Sequence, residues 1–179
     1  SEESMPFTPY HFGPNGLIGL LGGRRLDVPM LIAANIWIDV EVLLASPPYY
    51  HRHWHLHTLL VGWLLAAAMA ALFYWIKPLR MLITAIMKAL QIPYRPRLGV
   101  MVLSGVLGAW LHVLLDGIYH FDVQPFWPFF NASMHLHRLQ DEHVKTLCVA
   151  GWILMLVVYA VIVVAGHRRK SPHADPNRI

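Results

Sequence analysis

Four stretches of the chain are long, strongly apolar and almost free of charge. They are residues 28–46, 58–76, 98–115 and 146–166. A helix of about 20 apolar residues is long enough to cross a bilayer core of about 30 Å. Only the first stretch contains ionisable acids, Asp39 and Glu41, and the third is followed directly by Asp116. The pattern predicts an all-α integral membrane protein with four transmembrane helices.

Two shorter segments have a different pattern. Residues 80–91 place apolar side chains at helical spacing with two basic ones, which predicts an amphipathic helix on the inner membrane surface. Residues 14–23, rich in glycine and leucine, predict a short N-terminal half-helix that forms a hairpin with the first span. This hairpin brings His11 to the depth of Asp39. The alternative keeps residues 1–28 wholly in the cytoplasm and removes His11 from any site there.

Composition agrees with a membrane protein, since 56% of the residues are hydrophobic and only 13% are charged. The net charge of +4 does not require an acidic partner, because most of the 14 Lys and Arg lie at one end of the predicted spans. Excess Lys and Arg mark the cytoplasmic side. We therefore expect membrane lipids as partners and no nucleic acid. Residues 1–170 form one membrane-embedded domain of a bacterial-type inner membrane protein, and residues 171–179 a disordered cytoplasmic tail.

Histidines are unusually frequent, and most of the 12 lie in the connections on the extracytoplasmic side. His112 and Asp116 are one helical turn apart and share a face. At about 1.5 Å per residue, Asp39, His112 and Asp116 lie about 17, 21 and 27 Å above the inner ends of their helices. These groups can therefore meet in the outer part of the bilayer, where ionisable side chains usually face a partner or a cavity.

The sequence thus predicts one site for one or two divalent metal ions. Imidazole and carboxylate donors without thiolate suit zinc, manganese or iron, and of these we expect zinc. His57 opens the second span, and His53 shares its face on a helix. Two residues are assigned to chemistry: Glu41 as a base or further ligand, and Arg52 (or Arg138) as a phosphate-binding group. The predicted ligands are His11, Asp39, His57, His112 and Asp116, with His53 and His137 as reserves.

Four ordered blocks of the chain resemble the YdjM-like family of inner-membrane metal-dependent hydrolases. They are His11 before GPNGLIGLLGG, the segment IDVE at 38–41, HR at 51–52 followed by HTLL at 57–60, and HVLLDGIYHFDVQPFWP at 112–128. The proline that precedes the first aspartate in that family is absent, and Glu41 replaces its second aspartate. The resemblance implies the same five ligands. A remoter similarity is to zinc phospholipase C and P1-type nucleases, where His137 and Asp141 would supply a further pair.

Three functions are compatible with this pattern. The first is a membrane-bound metal-dependent hydrolase that acts on a phosphoester or lipid-like substrate at the extracytoplasmic face. The second is a non-catalytic accessory subunit of a larger membrane complex, in which the His/Asp set is a structural or vestigial metal site. The third, a membrane di-iron oxidase, lacks the repeated His-x-x-His-His boxes that such enzymes carry.

Overall fold

The computed structural model describes residues 9–44, 55–135 and 141–170, and within them the ordered elements are helical. Short 3-10 turns at Gly23–Arg25 and His55–His57 precede α2 and α3. The all-α prediction is confirmed. The six helices are α1 (Pro9–Gly22), α2 (Val28–Leu44), α3 (Leu59–Trp75), α4 (Lys77–Ala89), α5 (Leu98–Tyr119) and α6 (Asp141–Lys170).

The central helix of the bundle is α5, which packs against α2 and α3. The N-terminal helix α1 packs mainly against α6 and also against α2. The buried face of α2 repeats every four residues, at Met30, Ala34 and Ile38, as a helix with one packed face requires. The core is completed by residues of the neighbouring helices: Ala66, Met69, Ala70, Ile83, Met87, Met101, Ala109 and Val113.

The break between α3 and α4 is caused by Pro78. A proline has no N–H, so the carbonyl four residues earlier, that of Tyr74, loses its helical donor. The guanidinium of Arg80 donates to this carbonyl at 3.0 Å and lies over the Tyr74 ring. The chain turns by 90° at this break. Helix α4 therefore runs across the direction of α3, as the predicted surface helix would, with Ile83 and Met87 buried beneath it.

The prediction of four transmembrane helices was wrong. In the described parts of the chain, only α5 and residues Glu142–His167 of α6 are long and apolar enough to cross a membrane. A third span is obtained if α3 and α4 count as one bent element. The difference has two causes. Helix α3 stops after 17 residues at the proline break, and α2 is also only 17 residues long.

Helices α1 and α2 form the helical hairpin, so the arrangement that kept residues 1–28 apart from the site is not the one observed. The hairpin turn is fixed by Asp27, whose Oδ1 accepts from the Met30 N–H at 3.0 Å and so caps α2. Asp27 Oδ2 accepts from the Tyr94 hydroxyl at 2.9 Å, and the Asp27 N–H donates to Ser104 at 2.7 Å. Burial raises the pKa values of both Asp27 and Tyr94 above their usual ranges.

Gly108 sets the distance between α5 and α2. A Cβ built at this position would lie 2.6 Å from the carbonyl oxygen of Leu31, a backbone atom that cannot rotate away. Small residues commonly permit such close helix approach in membrane proteins. The close packing is relevant to the site, because His112 lies one turn further along α5.

The Gly108→Ala variant should therefore be destabilised by about 1–3 kcal/mol, the usual effect of overpacking. Gly99 is the matched control: it lies in the same helix, and a Cβ there meets nothing within 4 Å. Gly99→Ala should be neutral or stabilising by up to about 1 kcal/mol, because alanine favours the helix. Thermal unfolding in detergent measures both. Equal melting temperatures for the two variants would contradict the close approach at Gly108.

Candidate metal centre

Four buried side chains from three elements meet near the end of α5 that is remote from its basic N-terminus. Asp39 comes from α2, His57 from the turn before α3, and His112 and Asp116 from α5. One donor atom of each lies within 4.8 Å of all the others. His57 and His112 are fully buried, while Asp116 is 4% and Asp39 9% exposed. This grouping could hold a metal ion.

The donor atoms are separated as the ligands of a single ion would be. His112 Nε2 lies 3.0 Å from both Asp39 Oδ1 and Asp116 Oδ2. His57 Nε2 lies 3.5 Å from the same Asp39 oxygen and 3.6 Å from the same Asp116 oxygen. Four ligands placed tetrahedrally at zinc bond lengths lie about 3.3 Å from one another. The residues present therefore fit a zinc ion in both donor type and spacing.

Asn35 determines which nitrogen of His112 carries a proton. Its side-chain NH₂ donates to the carbonyls of Leu31 at 2.8 Å and Ile32 at 3.3 Å, so Oδ1 must point the other way. That oxygen lies 3.1 Å from His112 Nδ1, which must therefore be the donor. In the neutral ring the other nitrogen, Nε2, then carries a lone pair and no hydrogen.

This lone pair faces two carboxylates, an arrangement that requires a positive charge between them. Although His112 Nε2 lies 3.0 Å from Asp39 and from Asp116, neither contact has hydrogen-bond geometry. Two buried carboxylates that both lie 3.0 Å from the same nitrogen also repel each other. A metal ion, or a proton on Nε2, satisfies the nitrogen and both oxygens together.

His57 is held by a carboxylate in the way that metal-bound histidines commonly are. Its Nδ1 donates to Glu41 Oε2 at 3.1 Å, which directs Nε2 toward Asp39 and Asp116. The same Glu41 oxygen accepts from the Leu56 N–H at 3.1 Å. Glu41 thus lies on the opposite side of the His57 ring from the other three donors, and this position favours a positioning role over the predicted one of base or ligand.

His11 touches the cluster without belonging to the four donors. Its Nε2 lies 3.1 Å from Asp116 Oδ1, whereas Oδ2 is the oxygen that faces His112 and His57. The rings of His11 and His112 are 4.6 Å apart. His11 therefore orients Asp116 in this structure, although the sequence predicted it as a ligand.

The structure accordingly brings together five of the seven predicted ligands, four as donors and His11 as a neighbour. The remaining predicted site residues, His53, His137 and Arg52, lie outside the described residues, as does the 171–179 tail. Sequence reasoning missed Asn35 and Asn15, whose NH₂ donates to Asn35 Oδ1 at 3.0 Å. Both are fully buried, and the available signal was a polar amide inside an apolar helix.

Comparisons with known proteins do not extend this description, since no family model, no curated protein and no solved structure matches the chain.

Proposed function

We propose that this chain is a membrane-bound metal-dependent hydrolase whose centre is formed by Asp39, His57, His112 and Asp116. The observation that carries the proposal is the position of His112 Nε2, which lies 3.0 Å from two buried carboxylates while the Asn35 contact holds the ring at Nδ1. We take the ion to be zinc, with manganese or iron as alternatives, since the donors are imidazole and carboxylate.

Each residue around the centre has a distinct task in this proposal. A bound zinc would supply a Lewis acid and a water of lowered pKa, the requirements for hydrolysis near neutral pH. Glu41 holds the proton on His57 Nδ1 and so keeps Nε2 free to bind the ion. His11 holds the second oxygen of Asp116. Burial of the four donors strengthens these electrostatic contacts by excluding water.

We further propose that the substrate is a phosphoester or lipid-like molecule that reaches the centre at the extracytoplasmic membrane face. The support is position: the donors of α5 lie near its C-terminal end, while Arg95 and Arg97 precede its N-terminal end. Arg52 is the proposed phosphate-binding group. Membership of the YdjM-like family is part of the same proposal, because the five positions that it nominates lie together.

The test is whether the detergent-purified chain hydrolyses two probes, bis-p-nitrophenyl phosphate and a short-chain phosphatidylcholine. We expect EDTA to abolish turnover, zinc to restore it, and Asp39→Asn to lower it by at least about 100-fold, as loss of a metal ligand should. His167→Ala, which alters an exposed histidine at the far end of α6, should retain full activity. Zinc-loaded protein that cleaves neither probe would count against the hydrolase.

A second candidate, a structural metal clamp in an accessory subunit, is favoured by one observation. Four protein donors, all at most 9% exposed, form a closed set, and closed four-ligand sites are typical of structural zinc. Cobalt substitution separates the two functions. An absorption spectrum that changes when inorganic phosphate is added indicates an open coordination position and a hydrolase, whereas an unchanged four-coordinate spectrum indicates the clamp.

A further inference from the structure

A second site lies at the opposite end of α5 from the metal centre. A cavity of about 510 Å³ opens between the turn of the α1–α2 hairpin and the segment that leads into α5. Fifteen residues separate Arg97 from His112, about 22 Å along a helix. The cavity is therefore independent of the four metal donors, and nothing proposed for them depends on it.

Three arginines, Arg24, Arg95 and Arg97, line this cavity. Among the described residues, none of the three forms an ion pair with a carboxylate. The guanidinium of Arg97 donates to the carbonyl of Arg24, which joins the two walls of the cavity. Three cationic side chains that line one cavity, with no ion-pair partner among the described residues, favour an anion there, and planar guanidinium groups match phosphate oxygens well.

The one acid in the wall does not cancel this charge. Asp27 is 3% exposed, and its two oxygens already accept from the Met30 N–H and the Tyr94 hydroxyl. It contributes at most one negative charge against three positive charges. The cavity therefore keeps a net positive lining.

The position of the cavity indicates which anion it would meet. Arg97 immediately precedes α5, one of the two helices in the described residues that can cross a membrane alone, so the cavity lies where a span ends. The N-terminus of α5 has no side-chain cap, and its free N–H groups favour an anion. Leu26, Pro93 and Val100 add an apolar wall. Phosphate beside hydrocarbon is the combination that a phospholipid presents at this level of a bilayer.

We propose that this cavity binds the headgroup phosphate of an anionic phospholipid through Arg24, Arg95 and Arg97. Binding here would hold the α1–α2 turn and the start of α5 together at the membrane surface, because Arg24 belongs to the first and Arg97 adjoins the second.

Native mass spectrometry of the detergent-purified chain tests the proposal with added phosphatidylglycerol, phosphatidylcholine or inorganic phosphate. Phosphatidylglycerol should bind as one tightly held molecule. Arg95→Gln should weaken it about five-fold and Arg24→Gln/Arg95→Gln about 25-fold, the effect of one or two cations near an anionic lipid. Lys88→Gln is the matched control: it removes a positive charge from an exposed residue of α4 outside the cavity, and should leave binding unchanged.

Three results would overturn the proposal. Equal weakening by Lys88→Gln and Arg95→Gln would show general charge attraction rather than a site. Phosphatidylcholine that binds as tightly as phosphatidylglycerol would remove the anionic selectivity. Inorganic phosphate that binds alone and displaces the lipid would assign the cavity to free phosphate. Arg97 is left intact in these variants because its contact with the Arg24 carbonyl supports the fold.

Discussion

The His112→Ala/Asp116→Ala variant should lose nearly all of the zinc that the wild-type chain retains. The wild type should hold about one ion, since four donors surround one position. The double variant removes two of these donors, and Asp39 with His57 cannot complete a four-ligand site. Zinc is measured by mass spectrometry of acid-digested protein after purification in detergent and exposure to excess zinc, and is normalised to protein by amino-acid analysis.

Two controls keep this experiment decisive. His167→Ala removes an exposed histidine and should retain wild-type zinc content, which excludes surface binding by scattered imidazoles. Asp116→Asn replaces a carboxylate by an amide of the same shape, so it should lose zinc without leaving a cavity. Helix content and gel filtration confirm that each variant is folded. If wild type and double variant hold the same amount of zinc, the four donors are not the metal site.

The site was more predictable than the number of spans, for a simple reason. Helical spacing fixes His112 and Asp116 on one face, and rise per residue fixes depth, so ionisable groups of similar depth can be grouped from sequence. Span number depends on where helices end. The apolar run 58–76 looks like a full span, but its helix α3 has only 17 residues and is followed by the 90° turn at the Pro78 break.

The contacts around the donors could not be predicted, because they depend on how each helix is rotated about its axis. Asp39 and Glu41 differ by only two residues in α2, yet one faces the donor group and the other lies behind His57. The approach at Gly108 brings α2 against α5 at Leu31 and Ala34. His11 was likewise predicted to lie level with Asp39, but only the packing of α1 shows that it meets Oδ1 of Asp116, the oxygen that does not face His112 and His57.

The largest effect expected from a residue outside the donor set is at Asn35. The Asn35→Leu variant should lower zinc affinity by about 10–100-fold, the usual effect of losing a group that orients a metal ligand. Leucine has no acceptor for His112 Nδ1, so the ring loses the contact that keeps the lone pair of Nε2 directed at Asp39 and Asp116. Affinity is measured by competition with a chromophoric chelator in detergent.

Asn15→Leu provides the matched comparison, because Asn15 is also fully buried and donates to the same Asn35 oxygen. It leaves the Asn35–His112 contact in place, so its zinc affinity should fall by less than about three-fold, well below the effect of losing an orienting group. If disturbed packing were the cause, the zinc affinity of both variants would fall by the same amount. Only the role of Asn35 in fixing the protonated nitrogen of His112 predicts a large loss in one variant and a small loss in the other.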